Sequence, residues 1–174
     1  WRANRRALCL LIDTSGSMSG LAVAIAAVAA SAVVLAADGR HDAGVIGFGS
    51  EVTVLHAPHS RRPPGDLVGD LVALRGHGMT DLAAGLQAAG RQLAGVTAYE
   101  RVVVLLSDCL RTAGGDPAAS LGGIDRLHVL CPLPSAESEA AAAALARRGG
   151  GLSQPVRRLA DVGPALTRVL TASS

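Results

Sequence analysis

The sequence predicts an α/β domain, a doubly wound and mostly parallel sheet of about six strands with one antiparallel edge strand and helices on both faces. Three observations lead there. Ala7 to Ile12 and Arg101 to Ser107 are short apolar runs without alternation, the composition of strands covered on both sides. Strand-like and helix-like segments alternate along the chain. At 174 residues and 49% hydrophobic content, with no internal repeat and no dividing linker, the chain has the size of one domain, residues 1–174. A domain of that size buries roughly 70% of its unfolded surface.

Each element has its own signal. Ala7 to Ile12 is the first central strand, and Ser17 to Ser19 can cap a helix running to Ala37 and stopping near Asp38-Gly39. That helix is uncharged over Leu21 to Ala37, 17 residues, Ala-rich and just short of a membrane span, which makes it a buried helix and not a transmembrane one. Gly44 to Phe48 and Glu51 to Leu55, joined by Gly49-Ser50, form a hairpin whose second arm is the antiparallel edge. His56 to Gly65 is a loop rich in Pro, His and Arg, and Asp66 to Leu74 is a short amphipathic helix. Asp81 to Leu93 places Leu82, Leu86, Ala89 and Leu93 on one helical face. Arg101 to Ser107 is the second central strand and Asp116 to Leu121 a helical turn, followed by a strand from Arg126 to Leu133 and a helix from Ala136 to Arg148. A short edge strand near Leu152 to Val156 and a helix from Val162 to Leu170 complete the pattern.

Composition excludes several functions. All sixteen basic residues are arginine, so a Walker A loop, a Schiff-base lysine and a lysine general base are impossible. The net charge of +2 and the isolated pairs Arg61-Arg62, Arg147-Arg148 and Arg157-Arg158, without interleaved aromatics, describe solvated faces and not a nucleic-acid surface. Aromatics are 2% of the chain, leaving Phe48 and Tyr99 as the large pieces of an otherwise aliphatic core and Trp1 as terminal decoration. Cys9, Cys109 and Cys131 lack C-x-x-C spacing and read as free, mostly buried thiols of a reducing compartment. No signal peptide opens the chain and it starts without Met, so a cytoplasmic domain of a longer protein is expected. The Ala, Gly and Arg usage matches a high-GC bacterial genome.

The segment Leu10 to Met18 carries the chemistry: an apolar strand ending in Asp13-Thr14-Ser15-Gly16-Ser17, a D-x-S-x-S loop. Alternating oxygens past the carboxyl end of a buried strand sit where α/β sheets bind ligands. Thr80 and Asp81 offer a hydroxyl and a carboxylate at the start of a helix, and Ser107 and Asp108 do so after the second central strand. Three such loops can converge on one hard cation, and hydroxyls with carboxylates suit Mg²⁺ better than a soft metal. Other motifs carry less. Gly16-Ser17-Met18-Ser19-Gly20 puts Met18 where the nucleophile of a serine hydrolase must stand. Ser15 stands where an aspartyl-phosphate phosphatase needs a second carboxylate, so no enzyme is expected. His56 and His59 have an H-x-x-H spacing without a third zinc ligand and read as a flexible surface loop, while His77, three residues before Thr80, reads equally as a rim residue or as a solvated loop histidine. Gly44, Gly47 and Gly49, and Gly76 with Gly78, read as turns and close-packing points.

Asp13, Ser15, Ser17, Thr80 and Asp108 together resemble the metal-ion-dependent adhesion site of von Willebrand factor A domains, whose fold is Rossmann-like. The resemblance implies that Ser15, Ser17 and Thr80 bind the metal directly, while Asp13 and Asp108 act through water. It implies a metal-dependent protein-interaction module in which Mg²⁺, with Mn²⁺ and Ca²⁺ as alternatives, receives an Asp or Glu from a partner protein. Many bacterial relatives work beside AAA+ ATPases of the MoxR or chelatase type, which is the implied context. A scaffold whose metal only stabilises the loops, and whose uncharged first helix makes the contact, is the alternative.

Overall fold

Burial follows the runs that lack alternation. The structure is a computed structural model that describes residues 6–16, 20–37, 42–60, 62–73, 79–110 and 113–172. Its elements are β1 (Arg6–Asp13), α1 (Leu21–Ala37), β2 (Asp42–Phe48), β3 (Val52–His56), α2 (Pro64–Ala73) and α3 (Leu82–Ala94). Then come β4 (Glu100–Leu106), a 3₁₀ turn (Pro117–Ser120), β5 (Arg126–Pro132), α4 (Ala136–Arg148), β6 (Gly150–Val156), a second 3₁₀ turn (Leu159–Asp161) and α5 (Val162–Thr171). The strands form one sheet of six in the order β3-β2-β1-β4-β5-β6, with β3 alone antiparallel.

Side-chain alternation along each strand divides the core in two. Leu8, Leu10 and Ile12 of β1, with Val102, Val104 and Leu106 of β4, pack with α1, α2 and α5. Cys9, Leu11, Val103 and Leu105 face α3 and α4, along with Phe48. The face expected for α3 is the buried one, since Leu82, Leu86, Ala89 and Leu93 all lie inside. Phe48 fits under α3 because residue 85 is glycine, where a Cβ would stand 2.8 Å from the ring. At the amino-terminal edge of the sheet, opposite the D-x-S-x-S loop, the buried Glu100 bridges Arg6 and Arg126 at 3.0 Å each.

Four expectations need correction. Tyr99 is 79% exposed, in the loop before β4, so Phe48 is the buried aromatic piece among the described residues. The first helix is not buried all round. Ala22, Ile25, Ala29 and Val33 face the core, whereas Leu21, Val28 and Leu35, two turns apart in sequence, are exposed. Its uniform apolarity gave no contrast between faces, and a helix covering one side of a sheet buries only the stripe it turns inward. His56 is not a loop residue; it closes β3 and is buried beside Val45 across a bulge in the β2–β3 ladder. His59 lies apart from it in an exposed turn, 2.8 Å from the Asp42 carboxylate. The last edge strand is longer than the stretch from Leu152, because β5 can be paired from Gly150 on. No helix among the described residues is long and apolar enough to cross a membrane. Cys9, Cys109 and Cys131 are free thiols, the first and last buried. Trp1, Ser17, Ser19, Arg61, Gly76, His77 and Gly78 lie outside the described residues.

Candidate metal centre

Parallel pairing puts the ends of β1, β4 and β2 at one edge of the sheet, so the loops that follow them emerge side by side. β1 stops at Asp13, opposite Phe48. The next residue turns the chain: the Thr14 N–H and hydroxyl both donate to the Phe48 carbonyl, at 2.7 and 2.9 Å. Gly49 then passes close to this loop, where a Cβ would lie 3.2 Å from Thr14 Oγ1. Its carbonyl accepts the Asp81 N–H at 3.0 Å, which ties the Thr80 loop to the end of β2. The Ala113 N–H donates to the Thr80 carbonyl at 3.2 Å and brings the loop after β4 to the same place. Backbone hydrogen bonds thus join the three oxygen-bearing loops.

The side chains inside this frame form a buried polar cluster. Asp13 is 1% exposed; its Oδ1 accepts the Ser15 N–H at 2.9 Å and its Oδ2 accepts the Ser107 hydroxyl at 2.8 Å. Ser107 Oγ in turn accepts the Cys109 N–H at 3.0 Å, which shapes the turn carrying Asp108. The Asp108 Oδ1 accepts the Leu110 N–H at 2.9 Å. Ser15 and Thr80 are both buried. Burial pushes the Asp13 carboxyl above its ordinary range, the Ser15 and Ser107 donors pull it back, and the nearby negative Asp108 raises it further. Among the described residues, the groups that stabilise the Asp13 charge are the dipoles of Ser15 and Ser107.

That arrangement fits a hard cation. Two neighbouring carboxylates repel each other, and among the described residues the side chains of the cluster offer oxygen donors. No group of three His, Cys, Asp or Glu side chains occurs among the described residues, so a soft-metal cage has no ligands there. Of the five residues named from sequence, Asp13, Ser15, Thr80 and Asp108 belong to loops brought together at this edge, and Ser17 lies outside the described residues. Asp81 serves the helix instead, for its Oδ1 accepts the Ala84 N–H and caps α3.

Ser107, expected as a hydroxyl of the converging loops, here donates to Asp13, and Gly49, expected as a turn and close-packing point, packs against Thr14, whose own part the sequence did not signal. For Ser107 the signal was present, because it follows Val103 and Leu105 in strand parity and so faces the side on which Asp13 ends β1. Around the cluster, large apolar side chains are exposed at this edge: Leu21 at the start of α1, Met79 before Thr80, Leu110 after Asp108 and Leu133 after β5. Ala22, Leu110, Pro132, Leu133 and Ser135 line a pocket of about 130 Å³ that includes Asp108 in its wall.

Comparison with known proteins agrees with the architecture. No curated protein matches the chain in sequence. Among solved structures, an aerotolerance-related membrane protein from Bacteroides fragilis, with multiple mutations to serines, aligns with a TM-score of 0.70 and 19% identity over 95% of this chain and 98% of that one. A von Willebrand factor type A structure from Catenulispora acidiphila aligns at 0.72 with 16% identity over 93% of this chain and 41% of that one. The pilus adhesin SpaC from Lactobacillus rhamnosus GG, in an open conformation, aligns at 0.68 with 13% identity over 95% of this chain and 29% of that one. The chain therefore spans nearly all of the first and less than half of the other two, and at these identities the likeness is one of fold. Residues 8–111, which run from within β1 to past the end of β4 and hold every named site residue, match the family model of the von Willebrand factor type A domain. The chain belongs to the von Willebrand factor type A domain family.

Proposed function

We propose that this domain is a metal-dependent protein-interaction module. In this reading Ser15, Ser17 and Thr80 hold a divalent cation directly, Mg²⁺ ahead of Mn²⁺ and Ca²⁺, and Asp13 and Asp108 stand behind them. The observation that carries the reading is Asp13, a carboxylate 1% exposed that, among the described residues, is held by the Ser15 and Ser107 dipoles next to a second carboxylate. A bound cation would supply the missing positive charge and an electrophilic contact point for a partner's Asp or Glu. The chain's residues do the rest. Ser107 and the Ser15 N–H fix Asp13, Leu110 fixes Asp108, and the exposed Leu21, Met79, Leu110 and Leu133 offer apolar surface to a partner. Apolar contact around the carboxylate excludes water, which strengthens a charged contact that would be weak in solvent.

The reading is one of binding without turnover; the chain has no lysine for lysine-based chemistry, and Met18 stands where a serine hydrolase has its nucleophile. A bacterial cytoplasmic setting beside an AAA+ ATPase of the MoxR or chelatase type is the proposed context. The scaffold reading draws on one observation, the exposed Val28 and Leu35 of α1.

Thermal melts of the chelator-stripped domain with added Mg²⁺ or Mn²⁺ test the proposal. A ligand at about a hundred times its Kd stabilises by about 2.7 kcal/mol, or roughly 5–10 °C for a chain of this size. That shift should vanish in Thr80→Ala. Absence of any shift with either metal, together with partner binding that survives chelation, would select the scaffold.

A further inference from the structure

We propose that the pocket beside Asp108 is a specificity subsite of the candidate metal centre, taking a Val, Leu or Ile side chain that stands close in sequence to the partner's metal-binding Asp or Glu. The proposal rests on the metal reading of that centre and adds to it the sequence class of the partner. Asp108 joins the two places, because it is both a candidate metal residue and part of the pocket wall. A segment with its carboxylate at the cation therefore passes the pocket. Its next residues, about 3.8 Å apart at Cα, come within reach of the opening.

Size and polarity select the occupant. The volume of about 130 Å³ equals about four water molecules' share of liquid, which suits a branched aliphatic side chain and is too small for an aromatic ring. Ala22, Leu110, Pro132 and Leu133 give the pocket apolar walls. The hydroxyls of its lining are engaged with one another's residues. Ser135 Oγ accepts the Ser138 N–H at 3.1 Å, while Ser138 Oγ accepts the Ser135 N–H at 2.8 Å and donates to the Ser135 carbonyl at 3.1 Å. A polar occupant would give up its hydration for few new hydrogen bonds. An acidic side chain would also face the Asp108 carboxylate, and a basic one the neighbouring cation. An aliphatic side chain meets neither cost.

The walls are held in an uncommon backbone shape. Cys109 and Leu133, directly after Asp108 and Pro132, have φ of 58° and 45°, a left-handed conformation unfavourable for any residue with a Cβ. Leu133 also precedes Pro134, which favours extended backbone at that position. Hydrogen bonds impose the shape: the Leu133 N–H donates to the Val156 carbonyl at 2.9 Å and the Cys109 N–H to Ser107 Oγ at 3.0 Å. Strain of this kind concentrates at ligand sites, and here it keeps the exposed Leu133 in the pocket wall.

The test uses fluorescein-labelled nonapeptides of Gly and Ser with a central Glu and one variable residue, placed one or two positions to either side. Anisotropy is read against the whole domain in Mg²⁺ and in EDTA, beside melts with and without Mg²⁺. Expected is Mg²⁺-dependent binding that is lost on Glu→Gln in the peptide. At one or more positions Leu, Ile or Val should bind at least about fivefold more tightly than Ser, Lys or Phe. Leu133→Gly removes a wall and suits the left-handed backbone. It should keep the Mg²⁺ melt shift and the Glu–Ser affinity, yet bring the Glu–Leu peptide to within about twofold of Glu–Ser. The subsite alone is overturned if Mg²⁺ shifts the melt but no aliphatic peptide exceeds its Ser counterpart, or if Leu133→Gly retains the full aliphatic gain. A melt without any Mg²⁺ shift, with peptide binding equal in EDTA, would overturn the metal reading and the subsite with it.

Discussion

Acidification should unfasten the β5–β6 edge through one histidine. Across that edge Leu127 pairs with Gly150 but Val129 pairs with Ser153, so Gly151 and Leu152 together oppose His128. At this bulge the Leu152 N–H finds an acceptor in His128 Nδ1 at 3.0 Å, a contact that only a neutral ring with its proton on Nε2 can make. Gly151 is required there, since a Cβ would sit 2.0 Å from the Leu127 carbonyl oxygen. The ring has no exposed surface, and burial, then Arg126, lower its pKa from 6.5 to about 4, against an opposing pull from Glu100. The unfolded chain takes up a proton near 6.5 and the folded one only near 4. Stability from this group is therefore complete above about pH 6.5 and declines as pH falls from there to about 4. At about pH 5 the loss is about 2 kcal/mol, approaching about 3 kcal/mol at the lower end. His128→Asn keeps an acceptor in the place of Nδ1 and removes the titration. Urea unfolding of parent and variant at about pH 7 and about pH 5 should give a parent that loses about 2 kcal/mol more than the variant. Equal losses would refute the assignment of the slope to His128, and His56, whose pKa burial also lowers, would be the next candidate.

Three further predictions test other parts of the structure. Asp13→Asn should lose all Mg²⁺-dependent stabilisation, yet in EDTA it should melt no lower than the parent, because a neutral amide replaces a desolvated charge; differential scanning fluorimetry in both conditions checks this. Gly85→Ala should cost roughly 1–3 kcal/mol in urea unfolding, since its Cβ must displace the fully buried Phe48 ring. Cys9, whose thiol burial raises to about 12, should resist iodoacetamide in the native state and react at the rate of global unfolding, as read by mass spectrometry over a urea series.

Most of the fold could be read from the sequence, because the sheet is covered on both sides and its central strands are continuous apolar runs. Ala136–Arg148 matched the helix residue for residue, with Ser135 and Ser138 forming the capping box that starts it. What escaped depended on contacts between distant segments. Tyr99 is outside because it falls in a loop before β4, a fact set by where the strand begins and not by its own hydrophobicity. The exposed face of α1 could not be told from the buried one in a run of Ala, Val and Leu. Of the site, the carboxylates and hydroxyls were visible as residue types, while the hydrogen bond from Ser107 to Asp13 joins residues 94 positions apart.

Topology and chemistry point to the candidate site independently. β1 sends its crossover to β2 on one side while β4 lies on the other, so the carboxyl ends of β1 and β4 form the crevice where the winding reverses. An open α/β sheet leaves room for a ligand there whatever its sequence. The residues then choose the ligand: apolar side chains would make that crevice a packing seam, and a glycine-rich turn would suit a phosphate. This chain instead ends β1 on Asp13 and follows β4 with Ser107 and Asp108, placing two carboxylates and a set of hydroxyls at the reversal. Burying Asp13 with no basic partner among the described residues costs stability, a cost that a domain built only for its own folding could avoid with an uncharged residue. The EDTA melt of Asp13→Asn measures that cost, and the Mg²⁺ melt of the parent measures what a cation returns.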